Sequence, residues 1–340
     1  MPATDVAFWV VALLVILALG FDFMNGFHDA ANSIATVVST GVLRPQQAVV
    51  FAAFFNFLAI FVFHLSVAAT VGKGIVLPAV VDLHVIFGAL IGAIVWNVIT
   101  WYYGIPSSSS HALIGGLVGA ALPKAGIDGL VWSGIIKTVS FIFISPFVGF
   151  LLGSLMMLLV AWVCKNANLA KTDRWFRRLQ LVSAGAYSLG HGGNDAQKTM
   201  GVIALSLTVG GFYSGSDTDP IPTWVIVAAA SAISFGTYAG GWRIMKTLGH
   251  KMIEVDQVKG LASTTVASTV LYVMAIHFKA PISTTHTITS SILGAGATRG
   301  RKWVRWGVVG NIATAWVLTL PAAAACAALA YKLIHLFGGN

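Results

Sequence analysis

Residues 25–33, NGFHDAANS, recur in the second half of the chain as residues 191–199, HGGNDAQKT. Both copies read Asp-Ala, two further residues and then a hydroxyl side chain. A second pair follows in the same order, because residues 106–111, PSSSSH, match residues 281–286, PISTTH. Two ordered matches indicate an internal duplication. The sequence therefore predicts three segments: a first repeat (1–164), a basic cytoplasmic linker (165–179) and a second repeat (180–340).

The composition excludes a soluble fold. Hydrophobic residues make up 57% of the 340 residues, charged residues make up 9%, and the mean hydropathy is +0.85. Soluble domains average about 25% charged residues. Several uninterrupted apolar runs approach the roughly 20 residues that a helix needs to cross a bilayer, and they lack the polar alternation of barrel strands. The predicted fold class is an all-α polytopic membrane protein.

The apolar runs predict about five membrane passes in each half, if both motif types are treated as interruptions. An odd number of passes makes the two repeats inverted relative to each other, with broken or re-entrant helices near the membrane midplane. The proline segments are open to two interpretations, a re-entrant hairpin or a full crossing. The predicted passes are residues 6–40, 46–71, 84–103, 106–121, 129–163, 180–212, 222–241, 260–279, 282–298 and 303–337.

The basic residues support this count because Lys and Arg concentrate in cytoplasmic loops. With residues 165–179 placed inside, fourteen of the twenty Lys and Arg residues fall on the cytoplasmic side. We therefore predict a multi-pass protein of the cell's inner membrane. The net charge of +9 does not indicate nucleic-acid binding, because the basic residues form no single stripe with aromatic residues.

Inverted repeats with interrupted segments are the architecture of secondary transporters. Their substrate sites lie near the midplane, where the repeats meet. The chain carries no Walker loop, so ATP-driven transport would need another subunit.

Three acidic residues fall inside apolar stretches: Asp22, Asp29 and Asp195. An ionised Asp at a helix centre costs roughly 2.5 to 3.5 kcal/mol, so it persists where it meets a cation, a proton or a partner. Asp29 and Asp195 are repeat mates, and the alternative role for each is a helix cap. Ser188 occupies the position in the second repeat that corresponds to Asp22. Asp22 is interpreted either as a site residue or as a packing residue. The expected ligands of a coupling cation or metal are Asp29, Asp195, Asn25, Asn32 and Asn194.

The two proline segments predict an anion site. Proline is favoured in the first helical turn, and the unpaired N–H groups of a half-helix start attract anions. Hydroxyl groups there could add hydrogen bonds, although Ser and Thr in membrane helices also bond to their own turn. The expected anion ligands are Ser108, Ser109, Ser110, Gln197, Thr199, Ser283, Thr284 and Thr285.

Other polar residues of the motifs remain open. His111 and His286 fit core histidines, metal ligands or proton carriers equally well. Lys198 is expected either to pair with Asp195 or to contact the substrate. His111, His286, Lys198 and Asp22 are all candidates for binding a proton or a metal. His28 is interpreted as a helix-end or packing residue.

The motifs resemble the signatures of the inorganic phosphate transporter (Pit) family. The resemblance rests on residues 27–33, 191–195 and 281–286 and covers nearly the whole chain. It implies a symporter rather than an enzyme, importing inorganic phosphate at a site where the two Asn-Asp motifs and the two Ser/Thr segments converge. Residues 191–199 look closest to the bacterial low-affinity branch.

The resemblance also bears on coupling. By this resemblance, the sodium-dependent animal branch carries glutamates at positions that correspond to Asn56 and Gly260 of this chain. Proton symport of phosphate, with some phosphate entering as a neutral metal-phosphate complex, is therefore expected, with a sodium gradient as the other option. Expected partners are phosphate, the coupling cation and the lipid bilayer, with no nucleic acid and no tightly bound cofactor. A homodimer is left open.

Two rival functions come from other classes. One is an intramembrane serine hydrolase that uses Ser110 with His111 or His286, although no acid in the sequence is placed to orient either histidine. The other is an uncoupled anion channel.

Overall fold

A computed structural model describes residues 3–62, 74–214, 220–276 and 282–337. Within these residues the chain forms eleven α-helices. In chain order they are α1 (Ala3–Ser39), α2 (Pro45–Leu58), α3 (Leu83–Tyr103), α4 (Ser109–Ala125), α5 (Trp132–Val163), α6 (Leu169–Val209), α7 (Thr223–Ala239), α8 (Trp242–Lys246), α9 (Gln257–Ile276), α10 (Thr284–Ala297) and α11 (Trp306–Phe337).

Local sequence signals begin and end these helices. Pro45 occupies the first turn of α2, where its missing N–H leaves no hydrogen bond unmade. Asp82 caps α3 by accepting a hydrogen bond from the N–H of Val85 at 2.8 Å. Gly104 ends α3 with φ +66°, a left-handed conformation that favours glycine. Gly240 separates α7 from the helical stretch that begins with α8, and the two are bent by 56° relative to each other.

The helices α1 and α6 run unbroken through their motifs. Asp29 lies in mid-helix within the 37 residues of α1, and Asp195 lies in mid-helix within the 41 residues of α6. The predicted passes 6–40 and 180–212 run through the same two motifs, so the motifs interrupt the apolar sequence but not the helices. Helix α6 also includes residues 169–179, so most of the segment predicted as a linker is helical.

Four of the described helices are long and apolar enough to cross a membrane, and the bent pair α7–α8 makes a fifth. Helices α4 and α10 have 17 and 14 residues, which is shorter than the roughly 20 residues of a full span. The count of ten passes and the inverted orientation stay predictions. Half-length helices at the two proline segments agree with the re-entrant interpretation.

Packing repeats between the two halves of the chain. Helix α4 of the first half packs on α11 of the second, and α10 of the second packs on α5 of the first. In the same way α1 packs on α7, and α6 packs on α2. The repeated glycines Gly119 and Gly294 lie at two of these contacts, where a Cβ atom would collide with the backbone of Ala324 and Phe150, respectively. Small residues let membrane helices approach this closely.

Two isolated β-bridges repeat in the same way. Val76 pairs with Leu130 between the segments that precede α3 and α5. Ile253 pairs with Val304 between the segments that precede α9 and α11. The halves are thus duplicates in their turns as well as in their helices, and they interlock instead of forming separate bodies.

The surface is apolar and the interior holds many polar groups. Phe143, Trp162 and Val182 are each more than 60% exposed, whereas the polar residues of all four motif segments are buried. A soluble protein would bury such aromatic side chains. This distribution fits a helical bundle surrounded by lipid.

Candidate functional site

Helices α4 and α10 both begin inside the protein. Ser108 caps α4 by accepting a hydrogen bond from the N–H of His111 at 3.3 Å, and Ser283 caps α10 by accepting one from the N–H of His286 at 3.1 Å. These two predicted anion ligands therefore also hold their own helix starts. Because both starts are buried, their first N–H groups and the positive ends of the helix dipoles face the interior.

Pro106 lies further from its helix than predicted. Pro106 precedes the cap Ser108 and stands outside the first turn of α4. Pro281 lies outside the described residues. In the first half, the capping serine rather than the proline defines the helix start.

Asp29 projects from α1 toward both helix starts. Its carboxylate accepts hydrogen bonds from Ser109 Oγ at 3.0 Å and from Thr285 Oγ1 at 3.2 Å. His28 Nδ1 lies 2.8 Å from Asp29 Oδ1, and His28 Nε2 lies 3.1 Å from Thr100 Oγ1. The interpretation of His28 as a packing or helix-end residue is wrong, because this buried side chain holds the Asp29 carboxylate. A cap role for Asp29 is also excluded, since the residue lies in mid-helix.

Asp195 has the corresponding position on α6. It accepts hydrogen bonds from Lys198 Nζ at 2.6 Å, from Asn194 Nδ2 at 2.9 Å and from Thr284 Oγ1 at 3.2 Å. The Lys198 ammonium also donates to Ser110 Oγ at 2.5 Å. Of the two roles open for Lys198, the described residues place it as the partner of Asp195.

The contacts of the two halves correspond pair by pair. The bond from Ser109 to Asp29 matches the bond from Thr284 to Asp195. The bond from Asn32 Nδ2 to Thr285 Oγ1, at 2.9 Å, matches the bond from Lys198 to Ser110.

The asymmetry of the site is concentrated at this second pair. One half donates from a neutral amide, and the other donates from an ammonium group. Both bonds of this second pair join one half's motif helix to the other half's short helix, so the site requires both halves.

His191 lies between the two carboxylates. Its Nε2 is 3.3 Å from Asp195 Oδ2 and 3.9 Å from Asp29 Oδ2. One ligand atom from each of these three buried residues lies within 4.8 Å of the others, an arrangement that could converge on one cation. Sequence reasoning missed His191, although its position four residues before Asp195 places both side chains on one face of a helix.

The remaining predicted residues are all buried around this centre. Asn32 Oδ1 and Asn194 Oδ1 have no hydrogen-bond partner among the described residues, so both remain available as acceptors. Asn25, Thr199 and Gln197 are at most 3% exposed. Every residue that the sequence proposed for the cation and anion sites is thus buried, and direct hydrogen bonds link Asp29 with Ser109 and Thr285 and link Asp195 with Thr284.

His111 and His286 form a pair of their own. Their ring centroids lie 4.9 Å apart, and His286 stacks on Trp316 at 4.2 Å. No ring nitrogen of either histidine has a partner among the described residues. Ser110 accepts from Lys198 instead, so a Ser-His relay for hydrolysis is not assembled there.

Comparison with known proteins identifies close relatives over the whole chain. Residues 25–327 match the model of a phosphate transporter family. A probable low-affinity inorganic phosphate transporter of Rhizobium meliloti (strain 1021) is 53% identical and covers 97% of this chain and 98% of its own length. A protein of the same description from Bacillus subtilis (strain 168) is 44% identical over 98% of this chain and 99% of its own.

A solved structure shares the fold. It is a sodium-dependent phosphate transporter with a TM-score of 0.82 and 25% sequence identity. The alignment covers 96% of this chain and 99% of that one.

Proposed function

This chain belongs to the phosphate transporter family, whose members are transporters rather than enzymes, and we propose that it imports inorganic phosphate across the inner membrane by cation-coupled symport. The observation that carries this proposal is the convergence of two buried helix starts on two carboxylates. The helix starts can bind the phosphate anion, and the carboxylates can bind the accompanying cation.

The anion half of the site is built from dipoles and hydroxyl groups. Phosphate oxygens accept hydrogen bonds from the free N–H groups at the starts of α4 and α10. Ser110 accepts from Lys198 and so keeps its O–H for the anion. Ser109, Thr284 and Thr285 donate to the two carboxylates here, and their O–H groups would turn to the anion when it binds. Such a site holds phosphate without an arginine clamp, which favours release on the other side.

The charges favour phosphate accompanied by a cation. Two carboxylates and the single ammonium of Lys198 leave one net negative charge, which repels a bare phosphate anion. A neutral metal-phosphate complex adds no charge. Its metal would meet Asp29, His191 and Asp195, an oxygen and nitrogen set that suits divalent cations.

Alternating access follows from the duplicated packing. We place the two halves in inverted orientation, so that one bundle rocks against the other around the fixed site. The exchange of short helices between the halves supports this arrangement, because motion of either half moves one helix start relative to the other.

Proton coupling is favoured over sodium coupling. Asn56, at a position where the sodium-dependent branch of the resembled family carries a glutamate residue, is neutral and donates to Thr237 Oγ1 at 2.8 Å. Gly260, at the second such position, offers no side chain.

The proposed function is tested by uptake of radiolabelled phosphate into proteoliposomes, with sodium, pH and divalent metal varied independently. We expect uptake to rise with an inward proton gradient and with added divalent metal, and to be insensitive to sodium. Protein-free liposomes are the control. A phosphate conductance that does not change with sodium, pH or divalent metal would instead identify the protein as a channel.

A further inference from the structure

Asp22 is the third buried acid of the apolar helices, and it differs from the other two. Its side chain is 0% exposed on α1, yet neither carboxylate oxygen has a hydrogen-bond partner among the described residues. A buried carboxylate that lacks partners is costly, so such a group persists where something else neutralises it.

Two other oxygen-bearing side chains share this position. Asn25, one turn further along α1, and Thr199, from α6, lie against the Asp22 carboxylate without forming a hydrogen bond of good geometry to it. Asn25 Oδ1 and Thr199 Oγ1 are themselves buried and without partners among the described residues. The three side chains therefore present four unpaired oxygen atoms in one buried place, a set suited to a proton or a hard cation.

The other two acids already have hydrogen-bond partners in the protein. Hydroxyl and imidazole groups surround Asp29, and Lys198, Asn194 and Thr284 donate to Asp195. The charged groups that act on Asp22 are Asp195 and Lys198, both on α6. Helices α2, α3 and α7, which also pack on α1, carry no acid, lysine or arginine. Asp22 is thus the acid whose charge the surrounding protein leaves unbalanced.

The arrangement occurs once among the residues that the structure describes. At the duplicate position on α6, Ser188 donates to Ala184 O of its own helix at 2.9 Å and is satisfied there. The second half therefore has no equivalent acid, and one cation per transport cycle is the expected stoichiometry at this place.

We propose that Asp22, Asn25 and Thr199 form the binding site of the coupling cation, one proton or one sodium ion, separate from the Asp29–His191–Asp195 cluster that meets the phosphate and its metal. This proposal rests on the proposed symport function. Cation binding at Asp22 removes the negative charge that acts on Asp195 and Lys198, and so links the coupling site to the substrate site.

The test separates coupling from phosphate binding with the variant Asp22→Asn in proteoliposomes. Two rates are measured: gradient-driven phosphate accumulation, and exchange of internal phosphate for external radiolabelled phosphate at equal concentrations. We expect accumulation to fall by about tenfold or more while exchange is retained. Proton-only and sodium-only gradients, applied to the wild type, identify the cation. Asp173→Asn, at an exposed acid paired with Arg177, is the matched control.

Two further variants guard against misfolding as an explanation. Asp22→Glu keeps the carboxylate and should retain gradient dependence, whereas Thr199→Val should raise the cation concentration needed for half-maximal accumulation. Unchanged gradient dependence in Asp22→Asn overturns the proposal, as does a loss of exchange together with accumulation in a variant that elutes and melts like the wild type. Absence of exchange in the wild type would instead contradict the proposed function itself.

Discussion

Phosphate uptake falls by about 100-fold or more when either Asp29 or Asp195 is replaced by asparagine, because removing one partner of a buried charged group costs about 3 to 5 kcal/mol. Asp29→Asn removes the charge that His28, Ser109 and Thr285 surround. The amide also supplies an N–H donor where those donors require an acceptor. The measurement is initial uptake of radiolabelled phosphate in proteoliposomes at matched protein density.

The matched control for both variants is Asp173→Asn. Asp173 pairs with Arg177 on the exposed start of α6, and both side chains are 45% exposed, so uptake should be unchanged. Normal transport by both Asp29→Asn and Asp195→Asn would show that these carboxylates are not needed for transport. Asp195→Asn should also lower the melting temperature more than Asp29→Asn does, since it leaves the Lys198 ammonium buried without its carboxylate.

The second large effect is expected from Lys198→Met, which should reduce uptake by about 100-fold. Methionine preserves length and apolar volume but leaves Asp195 without its cation and Ser110 without its donor. Initial uptake is again the measurement. Lys124→Met is the matched control, because Lys124 forms a half-exposed ion pair with Asp82 at the end of α4, where the loss of charge matters little.

A companion variant uses the duplication itself. Lys198→Asn copies Asn32, the mate of Lys198, and makes the two halves of the site alike. It should transport better than Lys198→Met when the monovalent cation concentration is high, because an added ion can replace the missing ammonium. Equal activity of wild type and Lys198→Met would show that the ion pair is not needed for transport.

The residues of the site could be predicted from sequence because they repeat. Asp29 and Asp195, or Ser109 and Thr284, attract attention as matched polar pairs inside apolar stretches, and the structure places each pair in corresponding contacts. Most helix boundaries were also close to those expected, since hydropathy and capping residues are local signals.

Other features depend on tertiary contacts that no local pattern reveals. An Asp in an apolar stretch is unfavourable in a membrane helix, yet α1 and α6 continue through their motifs because the carboxylates have partners. Ser109 and Thr285 from other helices donate to Asp29, and Lys198 of α6 itself donates to Asp195. His28 and His191 escaped notice for a related reason. Their partners come from distant segments, such as Thr100 for His28 and Asn56 for His191.

The sequence also did not predict that the short helix of each half packs against the other half. The duplication predicts two similar units, but the packing of α4 on α11 and of α10 on α5 is set by small-residue contacts such as Gly119 on Ala324. These contacts join positions far apart in the chain. They are what brings both helix starts to one place.

The most direct test of the shared site is phosphate binding to the purified protein, measured with radiolabelled phosphate for the wild type and for the double variant Ser109→Ala, Thr284→Ala. Each hydroxyl has a single O–H, which donates to a carboxylate here and should turn to the anion when phosphate binds. Hydrogen bonds to charged groups contribute about 1.5 to 3 kcal/mol each, so the double variant should bind about 100-fold more weakly or worse. The control is Thr172→Ala, Ser231→Ala, two exposed hydroxyl groups that bond to their own helices. Tight phosphate binding by the wild type that is lost only in the first double variant is the predicted result. Equal binding by all three proteins would contradict a phosphate site at the two helix starts.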